Sequence, residues 1–212
     1  MTKEKIENFV NFRFVPLKKR TYITRLLLLW IFNIPFYFFD KFAFITGVIL
    51  SVINIFSSVL FIKLAITKAE TKEAKFLSEG IAYTYYSVVC LIAGFIAMSI
   101  PNGYNFLLLF VLILIYLLSA ALFLLLIYKN IKKDIYNEKN LGGGGNIFIA
   151  PLAGGLLGIS IGRLFFSDTS NQVSFYILGA CLLFFSYILS ISYMSFVKLF
   201  FLKNLSKFQD KN

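Results

Sequence analysis

Six blocks of apolar residues, separated by short linkers that carry most of the charge, make up most of this 212-residue chain. A helix needs about 20 apolar residues to cross a hydrocarbon core of roughly 30 Å. Only 15% of the residues are charged, against about 25% in soluble domains. We therefore predict an all-α integral membrane protein with six transmembrane helices. The predicted segments are Leu26–Phe39, Phe42–Ile62, Ile81–Ile100, Phe106–Tyr128, Ile147–Phe166 and Val173–Phe201.

The first of these segments is the shortest. Only 14 residues separate Arg25 from Asp40, and Asn33 and Pro35 interrupt them. Fourteen helical residues rise about 21 Å, which is too short for the hydrocarbon core unless Arg25 extends its charge to the surface or the bilayer thins. The distribution of charge along the whole chain nevertheless favours a crossing here.

Six crossings would divide the basic residues very unevenly between the two sides. Nineteen of the 21 Lys and Arg residues lie in residues 1–25, in the linkers 63–80 and 129–145, and in residues 198–212, which would all share one side. The short turns on the other side would hold only Lys41. By the positive-inside rule, we expect both termini in the cytoplasm and a fold of three helical hairpins.

The net charge of +11 does not indicate a nucleic-acid partner. The basic residues lie in short segments between apolar blocks, where charge sets membrane orientation and contacts anionic lipid. We therefore expect the lipid bilayer itself, with anionic lipid at the cytoplasmic face, as one partner of the chain.

This pattern divides the chain into a basic N-terminal segment (residues 1–25), a six-helix transmembrane domain (residues 26–201) and a basic cytoplasmic tail (residues 202–212). The N-terminal segment mixes apolar and basic residues. That mixture fits an interfacial helix on the inner leaflet or an ordinary basic leader, and both remain open. The last predicted helix is long, and we expect Lys198 to extend its charge to the interface.

The fifth predicted helix carries a regular series of small residues. Ala150, Gly154, Gly158 and Gly162 follow one another at intervals of four, so they form one stripe along the helix. Close backbone approach and van der Waals contact hold helices together in lipid, and a stripe without side chains permits that approach. We predict a glycine zipper that packs within the monomer, with packing between subunits or a mobile seam as the alternatives.

Arg163, at the outer end of the same predicted helix, is charged at membrane depth. Charges in such positions are costly and mark candidate functional sites. We predict an outer-end charge pair between Arg163 and either Asp40 or Asp168, with extension of the guanidinium to the surface as the alternative.

Uncharged polar residues also occur inside the predicted helices. Hydroxyls and amides in lipid form interhelical hydrogen bonds more often than they bind ligands. We predict that role for Asn33, Asn54, Ser57, Ser58, Thr84, Ser186, Ser190, Ser192 and Ser195. Three tyrosines near an inner boundary, Tyr83, Tyr85 and Tyr86, fit an aromatic belt. We interpret Cys90 and Cys181 as buried free thiols.

Several chemistries are excluded or disfavoured by residues that the chain lacks. It contains no histidine, which removes zinc-dependent proteolysis and any Ser-His or Cys-His dyad. No acidic pair lies within a predicted span, which argues against the carboxylate relays of proton-coupled carriers. We expect no enzymatic activity, no metal site and no cofactor.

In hydropathy alone, the chain resembles substrate-binding subunits of vitamin transporters, membrane subunits of export ATPases and self-immunity proteins of peptide producers. No residue motif is shared with them. The Lys, Asn, Ile and Phe content fits an AT-rich genome and therefore a bacterial cytoplasmic membrane. We expect a membrane component of a transport or export system that acts with a protein partner or by self-association. The alternative is a membrane-resident immunity or defence protein that senses or blocks a toxin or phage event.

Overall fold

The computed structural model describes residues 2–12, 14–38, 40–68, 70–137, 171–189 and 193–207, and every secondary-structure element in these ranges is helical. Seven α-helices and two 3₁₀ turns lie in them. The α-helices are α1 (Lys3–Asn11), α2 (Lys19–Asn33), α3 (Lys41–Thr67), α4 (Lys72–Ser99), α5 (Phe106–Lys132), α6 (Asn171–Leu189) and α7 (Tyr193–Asn204). The 3₁₀ turns are Ile34–Tyr37 and Leu205–Lys207.

Four stretches of the described chain are long and apolar enough to cross a membrane. Three are the helices α3, α4 and α5, and the fourth is Val173–Asn204, which covers α6 from its third residue onward and all of α7. The predicted all-helical membrane fold is therefore supported with four spans. The predicted fifth segment, Ile147–Phe166, lies outside the described residues.

The predicted first segment differs from the helix that forms. The α-helix begins earlier, at Lys19, and ends at Asn33, and the chain continues as the 3₁₀ turn Ile34–Tyr37. Pro35 explains the end, because its ring blocks the continuation of an α-helix but is tolerated in the first turn of a new element. The 15 residues of α2 rise about 22 Å along the helix axis. This helix is not among the four candidate spans.

Polar side chains at the loop ends start the long helices. The carboxylate of Asp40 accepts a hydrogen bond from the Ala43 N–H at 2.9 Å and caps α3. The Thr71 and Asn105 side chains cap α4 and α5 in the same way. Before α5, the chain turns at Pro101-Asn102-Gly103, and Gly103 has a φ of +83°, a region of backbone conformation that favours glycine.

Helix α4 lies at the centre of the bundle. In the most apolar 18-residue stretch of α4, 61% of the residues are buried within the bundle. The corresponding buried share is 28% for α3 and 17% for α5. The most extensive contact of α4 is with α6. Two glycines bring these helices together, because a Cβ atom on Gly94 would lie 3.0 Å from the Gly179 carbonyl oxygen. Helices that meet at glycines can approach closely, which is the contact that stabilises helix pairs in lipid.

The short helix α1 folds across one end of this bundle. Its apolar side, formed by Ile6, Phe9 and Val10, is buried against Phe76 of α4 and Ile131 of α5. At the same end Lys203 of α7 forms an ion pair with Glu73 of α4. We call this end, with its cluster of lysines, the basic end of the bundle.

At the opposite end the turns between helices meet one another. The hydroxyl of Tyr104, which precedes α5, donates to the carboxylate of Asp40, which precedes α3. The Asn102 amide donates to the hydroxyl of Tyr176 in α6. Hydrogen bonds between polar side chains therefore join these two turns to each other and to α6.

Candidate functional site

Most of the predicted site residues lie outside the described chain. These are the glycine stripe and two members of the outer-end charge pair: Ala150, Gly154, Gly158, Gly162, Arg163 and Asp168. Asp40, the remaining member, is described. Burial acts to raise the pKa of its carboxyl, but hydrogen bonds from the Ala43 N–H and the Tyr104 hydroxyl outweigh burial and lower that pKa. In return, burial and the Asp40 carboxylate raise the pKa of Tyr104.

A buried ion pair joins α2 to α4 near the basic end. One guanidinium nitrogen of Arg25 lies 3.1 Å from a carboxylate oxygen of Glu79, and another donates to the Ser78 hydroxyl at 2.7 Å. The two side chains are only 10% and 19% exposed. The Tyr86 hydroxyl donates to the Arg25 carbonyl at 3.1 Å. Because a buried charge is stable only when paired and hydrogen-bonded, these contacts account for the burial of Arg25.

Two buried lysines hold the N-terminal segment against the basic end. Lys198 of α7 donates to the Phe12 carbonyl at 2.7 Å, just beyond the end of α1. Lys75 of α4 donates to the Val15 carbonyl at 3.0 Å. A positive charge at a helix C-terminus is favourable, because the last carbonyls of the helix have no partner within it.

Aromatic rings complete the surroundings of Lys198. Its ammonium lies 5.5 Å from the ring centre of Phe9 and 5.4 Å from that of Phe76, distances at which a ring face attracts a cation. The prediction that Lys198 extends its charge to the interface is therefore wrong, since its side chain is covered and the residue is 8% exposed. The Phe12 carbonyl, just beyond the end of α1, accepts the hydrogen bond that water would accept from an exposed lysine.

Amide side chains link α2 to α3. Asn33 donates to the Gly47 carbonyl at 3.1 Å and to the Ser51 hydroxyl at 2.6 Å. Asn54 donates to the Leu29 carbonyl at 3.1 Å. Both amides form the interhelical hydrogen bonds that we predicted for them. An aromatic belt is wrong for two of the three tyrosines, because Tyr85 and Tyr86 are each 6% exposed and lie within the bundle.

A chain of hydroxyl groups crosses the middle of the bundle. The Ser87 hydroxyl donates to the Ser186 carbonyl at 2.6 Å and lies 2.8 Å from the Tyr116 hydroxyl. The Tyr116 hydroxyl lies 2.8 Å from the Tyr193 hydroxyl. Since each hydroxyl has one proton, Tyr116 must donate to Ser87, and Tyr193 must donate to Tyr116. The chain therefore runs in one direction and joins α4, α5, α6 and α7.

Some buried polar atoms near these groups have no hydrogen-bond partner among the described residues. They are Asn33 Oδ1, Asn54 Oδ1, Thr84 Oγ1, the Tyr85 hydroxyl and Ser186 Oγ. All are uncharged hydroxyl or amide oxygens. In the described part of the chain no cluster of His, Cys, Asp or Glu has a composition that could hold a metal ion.

An apolar cavity of about 390 Å³ lies between α2, α4 and α6. Phe32, Val89 and Leu178 line it together with Cys90, whose thiol is free. Cys181 is also a free thiol and is partly buried. Both cysteines are unpaired, as predicted, although Cys181 is less buried than expected.

The ion pair and the two lysine contacts were missed at the level of sequence. Arg25 and Glu79 lie at the edges of two predicted segments and are separated by 54 positions, so no local pattern connects them. One signal was available, because Lys75 and Glu79 lie four residues apart and so share a face of α4 near a predicted span.

No known protein family, curated protein or solved structure matches this chain. The arguments on function therefore rest on the residues and contacts described above.

Proposed function

We propose that the chain is a non-enzymatic multi-pass protein of a bacterial cytoplasmic membrane, with both termini in the cytoplasm. In this proposal it is the membrane component of a transport or export system and acts together with a protein partner. The apolar helices support membrane insertion, and the lysines gathered at the basic end support the cytoplasmic orientation of that end.

The surface of α5 is the observation that carries the proposal of a partner. This helix is the most apolar of the candidate spans. Only 17% of the residues in its most apolar 18-residue stretch are buried within the described bundle. Within the described chain it packs mainly through Leu112, Tyr116, Ile127 and Ile131. A helix that is apolar on all sides lies in lipid or packs among other helices. Because α5 contacts the described bundle along only a narrow face, most of its surface is free to contact lipid or a partner helix.

The non-enzymatic part of the proposal rests on composition and on the interior polar groups. The chain has no histidine to act as a base. The buried hydroxyls of Ser87 and Tyr116 are occupied by one another and by a backbone carbonyl. Such groups join helices and do not activate a nucleophile, which requires an adjacent base.

A specific observation favours the alternative, a membrane-resident immunity or defence protein. The segment that follows α1 is held by lysine contacts to the Phe12 and Val15 carbonyls, and both contacts fasten α1 at the basic end. An element attached in this way could be released when a toxin or phage component displaces it. Release of α1 would then be the signal that reaches the cytoplasm.

Photo-crosslinking tests the partner directly. A photo-crosslinking amino acid at Leu118 or Leu125 of α5 would stand on an exposed face, since each leucine is 64% exposed. The same group at Leu112, which is 8% exposed, is the matched control on the same helix. We expect protein adducts in native membranes at the two exposed positions and none at Leu112.

The identity of the adduct separates the two functions. An ATPase or a substrate-binding protein supports the transport or export system, and a toxin or nuclease effector supports the immunity protein. A second copy of the chain supports self-association in place of a foreign partner. Lipid adducts alone at both exposed positions would contradict the proposal that α5 binds a protein.

A further inference from the structure

A lateral groove runs between α2 and α3 at the basic end of the bundle. It has a volume of about 270 Å³. Its floor is apolar and closed, because Tyr22 is 1% exposed and Phe61 is 0% exposed. Its rim is open to the surroundings, because Ile23 is 56% and Ile66 is 72% exposed. A groove that is closed below and open along its length has the form that holds an extended hydrocarbon chain.

Three consecutive basic residues lie where α2 begins, and one of them lines this groove. Lys18, Lys19 and Arg20 are exposed at the start of α2, and Lys19 itself lines the groove. Within the described chain no carboxylate lies within salt-bridge distance of any of the three. Arg25, the next basic residue along α2, is already paired with Glu79.

The helix start adds to this positive potential. The first turn of α2 has no side-chain cap, so backbone N–H groups at its start are not satisfied by a neighbouring side chain. Such groups and the helix dipole attract a negative charge. The groove and the charge cluster are independent features, and they adjoin at Lys19.

We propose that this α2–α3 groove binds an anionic phospholipid, with one acyl chain along the groove and the phosphate headgroup against Lys18, Lys19 and Arg20. A zwitterionic lipid would make the same chain contacts but offers no net charge to the three cations. A soluble phosphate would match the cations but leave the apolar groove empty. An anionic phospholipid uses both features, because it carries a negative headgroup and a hydrocarbon chain on one molecule.

Native mass spectrometry of the purified chain tests the site. The protein in mild detergent is mixed with phosphatidylglycerol or phosphatidylcholine of identical acyl chains, and bound lipid is counted. We expect phosphatidylglycerol adducts to exceed phosphatidylcholine adducts by roughly a hundredfold, since each of the three basic residues near the headgroup adds about a fivefold preference. Equal binding of the two lipids would overturn the proposal.

Two variants separate the headgroup contacts from the groove. The triple change Lys18→Gln, Lys19→Gln and Arg20→Gln alters only exposed side chains, and it should abolish the preference for phosphatidylglycerol while leaving chain binding. The change Ala65→Phe fills the groove, because Ala65 lines it and is 8% exposed, and it should weaken binding of both lipids.

Matched controls change the same charge and the same volume elsewhere. The triple change Lys129→Gln, Lys132→Gln and Lys133→Gln removes three exposed basic residues at the same end of the bundle and should leave the preference intact. Ala121→Phe adds a ring to an exposed face of α5 and should not affect either lipid.

Two results would contradict the site. A preference for phosphatidylglycerol that survives the glutamine changes at residues 18–20 would place the lipid elsewhere. Displacement of bound phosphatidylglycerol by soluble glycerol phosphate at equal concentration would show that the cations bind phosphate without help from the groove. If Ala65→Phe does not fold, the exposed triple variant alone still decides between these outcomes.

Discussion

The contact between α4 and α6 depends on two glycines that allow the backbones to approach. A Cβ atom on Gly179 would lie 2.8 Å from the Gly94 carbonyl oxygen and 3.3 Å from the Met98 backbone nitrogen. Carbon atoms essentially never approach a backbone oxygen so closely, and a helix backbone cannot rotate away as a side chain can. The change Gly179→Leu must therefore push α6 away from α4.

Two opposing effects set the size of this change in stability. Replacing glycine with a better helix former favours the helix by up to about 1 kcal/mol. Overpacking a close contact costs about 1–3 kcal/mol, and more where backbones must separate. Because α4 is the most buried candidate span and α6 is its main neighbour, we expect the packing cost to dominate. The free energy of unfolding should fall by about 2 kcal/mol in Gly179→Leu.

Unfolding of the purified protein in mild detergent measures this difference. Ala180→Leu is the matched control, since Ala180 is the next residue of the same helix but is exposed. It should change the free energy of unfolding by no more than about 0.5 kcal/mol. If Gly179→Leu is as stable as Ala180→Leu, α4 and α6 do not meet at these glycines and the reasoning is refuted.

Three further changes test individual contacts. Arg25→Ala leaves Glu79 buried without its cation and should lower the free energy of unfolding by about 3 kcal/mol. If the variant is as stable in detergent as the parent protein, the pair is not buried. Lys198→Met removes the contact that holds the end of α1, so limited proteolysis should cut the N-terminal segment faster than in the parent protein, and an unchanged cleavage rate would contradict this role. Ser87→Ala interrupts the chain of hydroxyl groups and should lower the free energy of unfolding by about 0.6–1.7 kcal/mol in the same assay. An unchanged free energy of unfolding would show that the Ser87 hydrogen bonds make no net contribution to stability.

The first residue of an apolar block predicts the start of a long helix well where a capping residue directly precedes the block. Helix α5 begins at Phe106, as predicted, and α3 begins at Lys41, one residue before the predicted Phe42. Helix α4 was predicted too short at its start, because the helix begins at Lys72 after its Thr71 cap. Hydropathy detects only the apolar part of a helix, whereas capping and helix propensity extend it through polar residues.

Contacts between distant segments could not be predicted in the same way. The glycine stripe can be predicted because its members repeat every four residues. Gly94 and Gly179 are single glycines in two different helices, so they form no sequence pattern. Lys198 was expected at the interface because nothing in its own segment shows that α1 folds over it. Asn33 and Asn54 were predicted correctly because an amide in an apolar helix has few alternatives to an interhelical hydrogen bond.

Cysteine accessibility on whole cells tests the central claim, that this is a multi-pass membrane protein whose basic end faces the cytoplasm. Single cysteines are introduced as Asn102→Cys, Glu70→Cys or Lys133→Cys in a chain without its two native thiols, and each site is exposed. A membrane-impermeant thiol reagent should label only the Asn102 position in intact cells, and all three positions once the membrane is opened. Labelling of the Glu70 or Lys133 position in intact cells would contradict the account.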